Sequence, residues 1–164
     1  MFYAGIGGHL EKNESLTECA QREANEEIGV GVTLFSSPKT YYLPNKDNMK
    51  EIKVKNFPRP LALYEMIYPR GIQNEGASYY IIIYRAELKE EPKYFKKDEV
   101  NNLIGLTEKQ LIKSISRKTS IGRLIEEGAL IIGNIDKNKM NKVVYPIGTA
   151  KAIAEILYKK KYNI

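Results

Sequence analysis

The sequence predicts an α+β fold with a mixed sheet. Three observations carry that class. β-branched and tyrosine-rich runs of strand length recur between residues 30 and 88. Capped helical segments are inserted among them and follow them. The 164 residues, 43% apolar and 28% charged, suffice to close one core without a disulfide or a structural metal.

Residues 5–8, Gly-Ile-Gly-Gly, read as a loop. Ser15-Leu16-Thr17-Glu18 is a capping box, in which a serine and a glutamate three residues apart satisfy each other's backbone N–H and start a helix. Good helix formers continue to Ile28, and Gly29 stops the run. Residues 30–35 read as a strand, and residues 36–50, with Pro38, Pro44, Asn45, Asp47 and Asn48, as a turn-rich loop. Residues 51–57 and 61–68 are expected strands separated by Pro58-Arg59-Pro60, followed by a glycine-containing loop over 69–77. Residues 78–88 form the strongest strand pattern, expected at the centre of the sheet. After a charged loop over 89–102, Thr107 caps a helix over 108–117, and a shorter helix over 121–127 ends at Gly128. A short strand over 129–132, a polar turn over 136–142 and a last helix capped by Thr149, with Ala150, Ile153, Ala154 and Leu157 on one face, complete the chain. There is no internal repeat or linker, so one domain over 1–164 is expected, with a C-terminal helical extension from about residue 107.

The net charge of +6 is unevenly placed: residues 1–82 carry 9 basic and 10 acidic side chains, and residues 83–164 carry 17 and 10. The scattered lysines of the second half read as a solvated surface, and no RNA-binding motif accompanies them, so nucleic acid is an unlikely partner. One cysteine, Cys19, suits a reducing interior, and the N-terminal residues show no secretory pattern, so a cytoplasmic location is expected. No apolar run approaches the roughly 18 residues that read as a membrane helix.

The first helix carries the chemistry. At about 100° per residue, Glu23, Glu26 and Glu27 share one face. Arg22 lies four residues from both Glu18 and Glu26 and can pair with either. Glu23 and Glu27 have no basic residue three or four positions away, and like charges at that spacing repel. A divalent cation removes the conflict, and hard carboxylate oxygens suit Mg²⁺ or Mn²⁺. Taken alone, such a run reads as a solvated acidic face. Its surroundings change that: Gly8, five residues, Glu14, seven residues, Arg22-Glu23-Ala24, Asn25, Glu26-Glu27, Ile28, Gly29, Val30.

The segment from Gly8 to Val30 resembles the Nudix box, the signature of hydrolases acting on nucleoside diphosphates linked to another group. Ala24 is the soft point, a position where a larger aliphatic residue is more usual. The resemblance implies a Nudix-like α/β/α sandwich around a mixed sheet. It also implies Mg²⁺-dependent hydrolysis of a phosphoanhydride bond in a nucleoside diphosphate derivative, with Mn²⁺ able to substitute. Glu23, Glu26 and Glu27 match the metal-binding glutamates, the carbonyl of Gly7 matches a backbone ligand, and Arg22 matches the arginine that orients a glutamate. Glu14 matches a mainly structural glutamate. The general base varies within the family, and here it is Glu23 or a carboxylate from a later loop. Glu99 is the preferred later-loop residue, beside Asp98, with Glu65 and Glu75 as further candidates. Arg70 is the arginine best placed by sequence to meet a substrate phosphate. Tyr3, Tyr41, Tyr42 and Tyr68 could stack on a nucleobase, His9 reads as a surface residue, and Cys19 as packing.

Family members normally place two strands ahead of the box. Here the box begins at residue 8, so the fold is expected to be abbreviated at that end. An unpaired sheet edge would follow, and a homodimer is one way to cover it. The alternative to an enzyme is a catalytically weak Nudix-fold module that binds or senses a nucleotide.

Overall fold

A computed structural model describes residues 1–45, 48–71, 73–92 and 100–162. In chain order the elements are β1 (Phe2–Tyr3), α1 (Leu16–Ile28), β2 (Val32–Phe35), β3 (Thr40–Leu43), β4 (Lys50–Ile52), β5 (Ala62–Ile67), β6 (Ser78–Ile83), β7 (Arg85–Leu88), β8 (Leu103–Gly105), α2 (Glu108–Ser116), β9 (Thr119–Ser120), α3 (Ile121–Glu126), β10 (Leu130–Ile132), a 3₁₀ turn (Lys137–Lys139), β11 (Val143–Pro146) and α4 (Gly148–Tyr162). The fold is α+β, as expected. Among the described residues the strands are shared between four small sheets, ordered β4–β3–β5–β6, β2–β7, β8–β10 and β1–β11–β9. The first is mixed, because β3 and β5 run parallel while β4 and β6 are antiparallel to their neighbours.

The helix ends follow their local chemistry. Ser15 and Glu18 form the expected capping box on α1, and Gly29, at φ 66°, closes it in a left-handed conformation with its N–H on the Asn25 carbonyl. Thr107 and Gln110 repeat the box on α2. The last helix starts at Gly148, one residue ahead of the expected Thr149 cap.

The strand expectations need three corrections. The run 78–88 is split at Tyr84, and among the described residues neither half is central: β6 is the last strand of its sheet and β7 pairs with β2 alone. The split follows from Pro60. The partner strand β5 starts just after a residue with no N–H to donate, so the ladder runs out near Leu61 and the chain continues onto β2. The strand expected over 51–57 stops at Ile52, which faces Thr40, the first residue of β3; beyond it no partner strand remains. Residues 36–50 contain β3, whose Tyr-Tyr-Leu core was hidden by the flanking prolines. Residues 107–164 hold β9, β10 and β11 besides three helices, and β11 pairs with β1, so this part is interleaved with the rest of the chain.

Two clusters form the core. α4 lays Ala152 and Ile156 on Tyr41, Leu43, Ala62, Tyr64 and Ile83 of the mixed sheet. Ile156 is 1% exposed, a burial that contributes about 1.5–3 kcal/mol. Ile121, Leu124, Ala129 and Val144 form the second cluster, with Tyr3 packed against it. Tyr41 is therefore core, with the Lys160 ammonium 5.1 Å from its ring centre.

Candidate active site

Leu16, Cys19, Ala20, Glu23 and Ala24 succeed one another at helical spacing and line one wall of a cavity of about 500 Å³. Residues 4–10 form a second wall, and Tyr79–Tyr84 along β6 a third. Glu23 thus sits on the stripe α1 would otherwise use for packing, and the residue is buried. Gly8 makes this possible. A Cβ at that position would collide with the Glu23 carboxylate, so the loop backbone approaches the acid only because residue 8 has no side chain. Gly7, at φ 150°, adopts a conformation L-residues avoid, and its N–H donates to Glu27 Oε2 at 3.2 Å.

Arg22 is the hub of the acidic face. Its Nε and Nη2 donate to the two oxygens of Glu14 at 2.8 and 3.0 Å, and its Nη1 donates to Glu23 Oε1 at 2.9 Å and Glu26 Oε2 at 3.1 Å. The same Nη2 donates to the His9 carbonyl at 3.0 Å, tying the loop to the helix. The bidentate Glu14 pair is the strongest form of this contact. It holds the Glu14 carboxyl down at about 2, with the Glu11 backbone N–H assisting, and the Arg22 guanidinium is pushed further up, chiefly by Glu14.

Two sequence expectations change here. Glu23 does have a counter-charge, from its neighbour Arg22, whose long side chain curls back over its own turn. Glu18 does not pair with Arg22 but spends its carboxylate on the Ser15 N–H, 2.8 Å away. Glu26 and Glu27 fall in the last turn of α1, which holds no basic residue. Among the described residues no three acidic, histidine or cysteine side chains are gathered closely enough to hold a metal ion; the carboxylates of this face are divided between Arg22 and Gly7.

The remaining candidates are dispersed. Asp98 and Glu99 lie outside the described residues. Glu65 accepts from Ser78 Oγ at 2.8 Å, Tyr42 Oη at 2.9 Å and the Asn45 N–H at 3.3 Å. Those donors lower its pKa, while the same contact raises the Tyr42 hydroxyl to about 12. Glu75 accepts from the Gly71 N–H at 3.0 Å, and the Arg70 side chain, 97% exposed, lies 4.0 Å from it and does not line the cavity. Of the tyrosines considered for stacking, Tyr68 alone lines the cavity, where Tyr79 and Tyr80 join it. His9 is exposed, as expected, and lines the cavity too. The periodicity that could have revealed the cavity wall is the stripe Leu16, Cys19, Ala20, Ala24, with Glu23 as the one charge on it.

No helix among the described residues is long and apolar enough to cross a membrane. No curated protein and no solved structure shows significant similarity to the chain. A family model does: it matches residues 2–119, a span that takes in the glycine loop, the acidic helix and most of the cavity wall, and by that match the chain belongs to the NUDIX domain family.

Proposed function

We propose that the protein is a divalent-cation-dependent hydrolase that cleaves a phosphoanhydride bond in a nucleoside diphosphate derivative. One observation carries the reading: a carboxylate set organised by Arg22 presents Glu23 to a cavity of ligand size, across a glycine loop that leaves the acid room. The donors fit a hard cation, being carboxylate and carbonyl oxygens only. Glu23, Glu26, Glu27 and the Gly7 carbonyl would hold it once Arg22 and the Gly7 N–H release those carboxylates and they converge, and Mg²⁺ or Mn²⁺ there would neutralise phosphate charge and lower the pKa of a bound water.

The chain's own residues have separate tasks. Arg22 fixes the orientation of Glu23 and Glu26 through one nitrogen, Nη1. Glu14 holds the guanidinium in plane by its bidentate pair. Glu23, or Glu99 from the later loop, accepts the proton of the attacking water. The enclosing wall of α1 and β6 limits access of bulk water to the bond being cleaved.

The test is release of phosphate or pyrophosphate from a panel of nucleoside diphosphate derivatives, with Mg²⁺ and with Mn²⁺. Turnover that needs the cation and falls in Glu27→Gln supports the proposal; no turnover with either cation sinks it. A second reading, a module that binds a nucleotide without hydrolysing it, draws on the engagement of Glu23 and Glu26 by a single Arg22 nitrogen, which an incoming cation must displace. Saturable nucleotide binding without release of phosphate selects that reading.

A further inference from the structure

The loop that leaves β4 presents its one aromatic ring to solvent. Phe57 is 88% exposed, more than any other large apolar side chain among the described residues. The loop beneath it is braced. Pro60 is buried, and its carbonyl accepts from Thr40 Oγ1 at 2.7 Å. The Arg59 carbonyl accepts from the Ser37 N–H at 2.9 Å, and the Arg59 N–H donates to Ser36 Oγ at 3.0 Å. Pro58 and Pro60 each fix their own φ, which narrows the backbone on both sides of Arg59. A single exposed apolar residue is ordinary on a protein surface; the surroundings set this one apart.

Those surroundings are cationic. Residues 52–64 carry Lys53, Lys55 and Arg59 and no acid, and all three are exposed. Glu51, just ahead of them, is held by Lys39 at 2.7 Å. The end of α4 brings further cations to the same margin of the mixed sheet. Lys160 lies 5.1 Å from the Tyr41 ring centre, and Tyr41 is the cross-strand partner of Glu51 on β4. Lys159, Lys160 and Lys161 close this helix, half-exposed Tyr162 follows them, and no acid follows Glu155.

Lysine on an edge strand ordinarily repels other strands. That purpose accounts for Lys50, which lies on β4, the outer strand of its sheet. It does not account for Phe57, because an exposed ring beside the edge invites the contact such lysines prevent. Cations around a projecting ring match a surface that is anionic outside and apolar just beneath. The ring enters the acyl boundary while the ammonium groups stay among the headgroups. Single-stranded nucleic acid fits less well, since it stacks along a groove of aromatic platforms, and here one ring stands alone.

We propose that the Phe57 loop, together with the basic end of α4, docks the protein on the surface of an anionic lipid bilayer. The contact is peripheral and spans nothing. It is independent of the catalytic reading, because none of these residues lines the cavity beside Glu23.

The experiment is co-sedimentation of the full chain with vesicles. One set is phosphatidylcholine alone, the other phosphatidylcholine with about 30% phosphatidylserine, at about 50 mM and about 500 mM NaCl. The anionic vesicles should bind about tenfold tighter or more, and release the protein at the higher salt. Lys53→Ala and Lys55→Ala should each weaken binding about fivefold, and Phe57→Ala about tenfold. Lys113→Ala, on α2, should change it by less than about twofold. The chain has no tryptophan, so Phe57→Trp supplies a single reporter. It should keep the binding, and its emission should shift to the blue on anionic vesicles alone. Lys53→Ala and Phe57→Trp carry the test should Phe57→Ala fail to fold.

No binding to the anionic vesicles at the lower salt overturns the proposal. So does binding that Phe57→Ala leaves unchanged, or that brings no blue shift in Phe57→Trp, since the ring is then not at the bilayer. A loss in Lys113→Ala equal to that in Lys53→Ala would assign the adsorption to net charge and remove the docking surface. Capture of a single-stranded RNA of about 20 nucleotides in preference to the vesicles would give the patch to nucleic acid and overturn the bilayer assignment.

Discussion

Two charge clusters in this molecule mirror each other and behave differently. Around Arg22, one cation is shared by Glu14, Glu23 and Glu26. Around Glu127, one carboxylate is shared by Lys113 at 3.2 Å and Arg123 at 3.4 Å, and those cations lower its pKa. Arg22, Glu14 and Glu23 are 23%, 12% and 12% exposed, with Glu26 at the rim at 52%, whereas Lys113 and Arg123 are 43% and 47% exposed around Glu127 at 28%. The lesson is that the number of charges decides little. Enclosure and the sign of the surplus decide what a cluster can do. The inner part of the Arg22 cluster is enclosed, has more anions than cations and borders a cavity, so it is there that the proposed cation would act. The Glu127 cluster is wet and adds little beyond surface ion pairing.

Substitutions can break this contrast, and the largest effects belong to the acids. Glu23→Gln and Glu27→Gln should each lower kcat by about 10²-fold or more in a Mg²⁺-dependent phosphate-release assay. Running Glu99→Gln beside them identifies the proton acceptor. Gly8→Ala comes next. It forces a methyl group into the Glu23 carboxylate and should cost up to about 10²-fold in kcat, read in the same assay. Wild-type activity in Gly8→Ala would mean that the close approach has no functional weight.

The stability effects are smaller. Arg22→Ala should depress Tm more than Lys113→Ala or Arg123→Ala, and Arg22→Lys should not rescue it, because an ammonium cannot reproduce the fork held by Glu14. Equal Tm losses at the two clusters would erase the contrast. The pH response has a defined sign. Glu14 titrates at about 2 in the fold instead of 4.5, so its pairing stabilises the protein above the ordinary carboxylate range and is lost as pH falls from 4.5 towards 2. Thermal unfolding over that window should be steeper in pH for the wild type than for Glu14→Gln. The smallest effect is Lys113→Ala, whose Tm should stay close to wild type.

Much of this was legible in the sequence. The box spacing located α1, its cap, its stop and the carboxylates, because each depends on neighbours within a few residues. Position within the sheet was not legible. Residues 78–88 have the composition of a buried strand, but which neighbours they find depends on Pro60 and on where β2 lies, both distant along the chain. The counter-charge of Glu23 does not show in i±3 and i±4 spacing, because the arginine side chain is long enough to curl back onto its next residue. Tyr41 and Tyr68 look alike in sequence; α4 packing buries one and the cavity takes the other.

The end of α1 carries one more implication. A helix gathers partial negative charge at its C-terminus, and α1 places Glu26 and Glu27 there with no basic residue in that last turn; Arg22 reaches Glu26 from one turn earlier. That last turn is held by Gly29, by the loop and by Arg22, against the helix dipole. Amide exchange from Asn25 to Gly29 should therefore report cation occupancy sooner than any global melting curve, and ionic strength alone should already slow it.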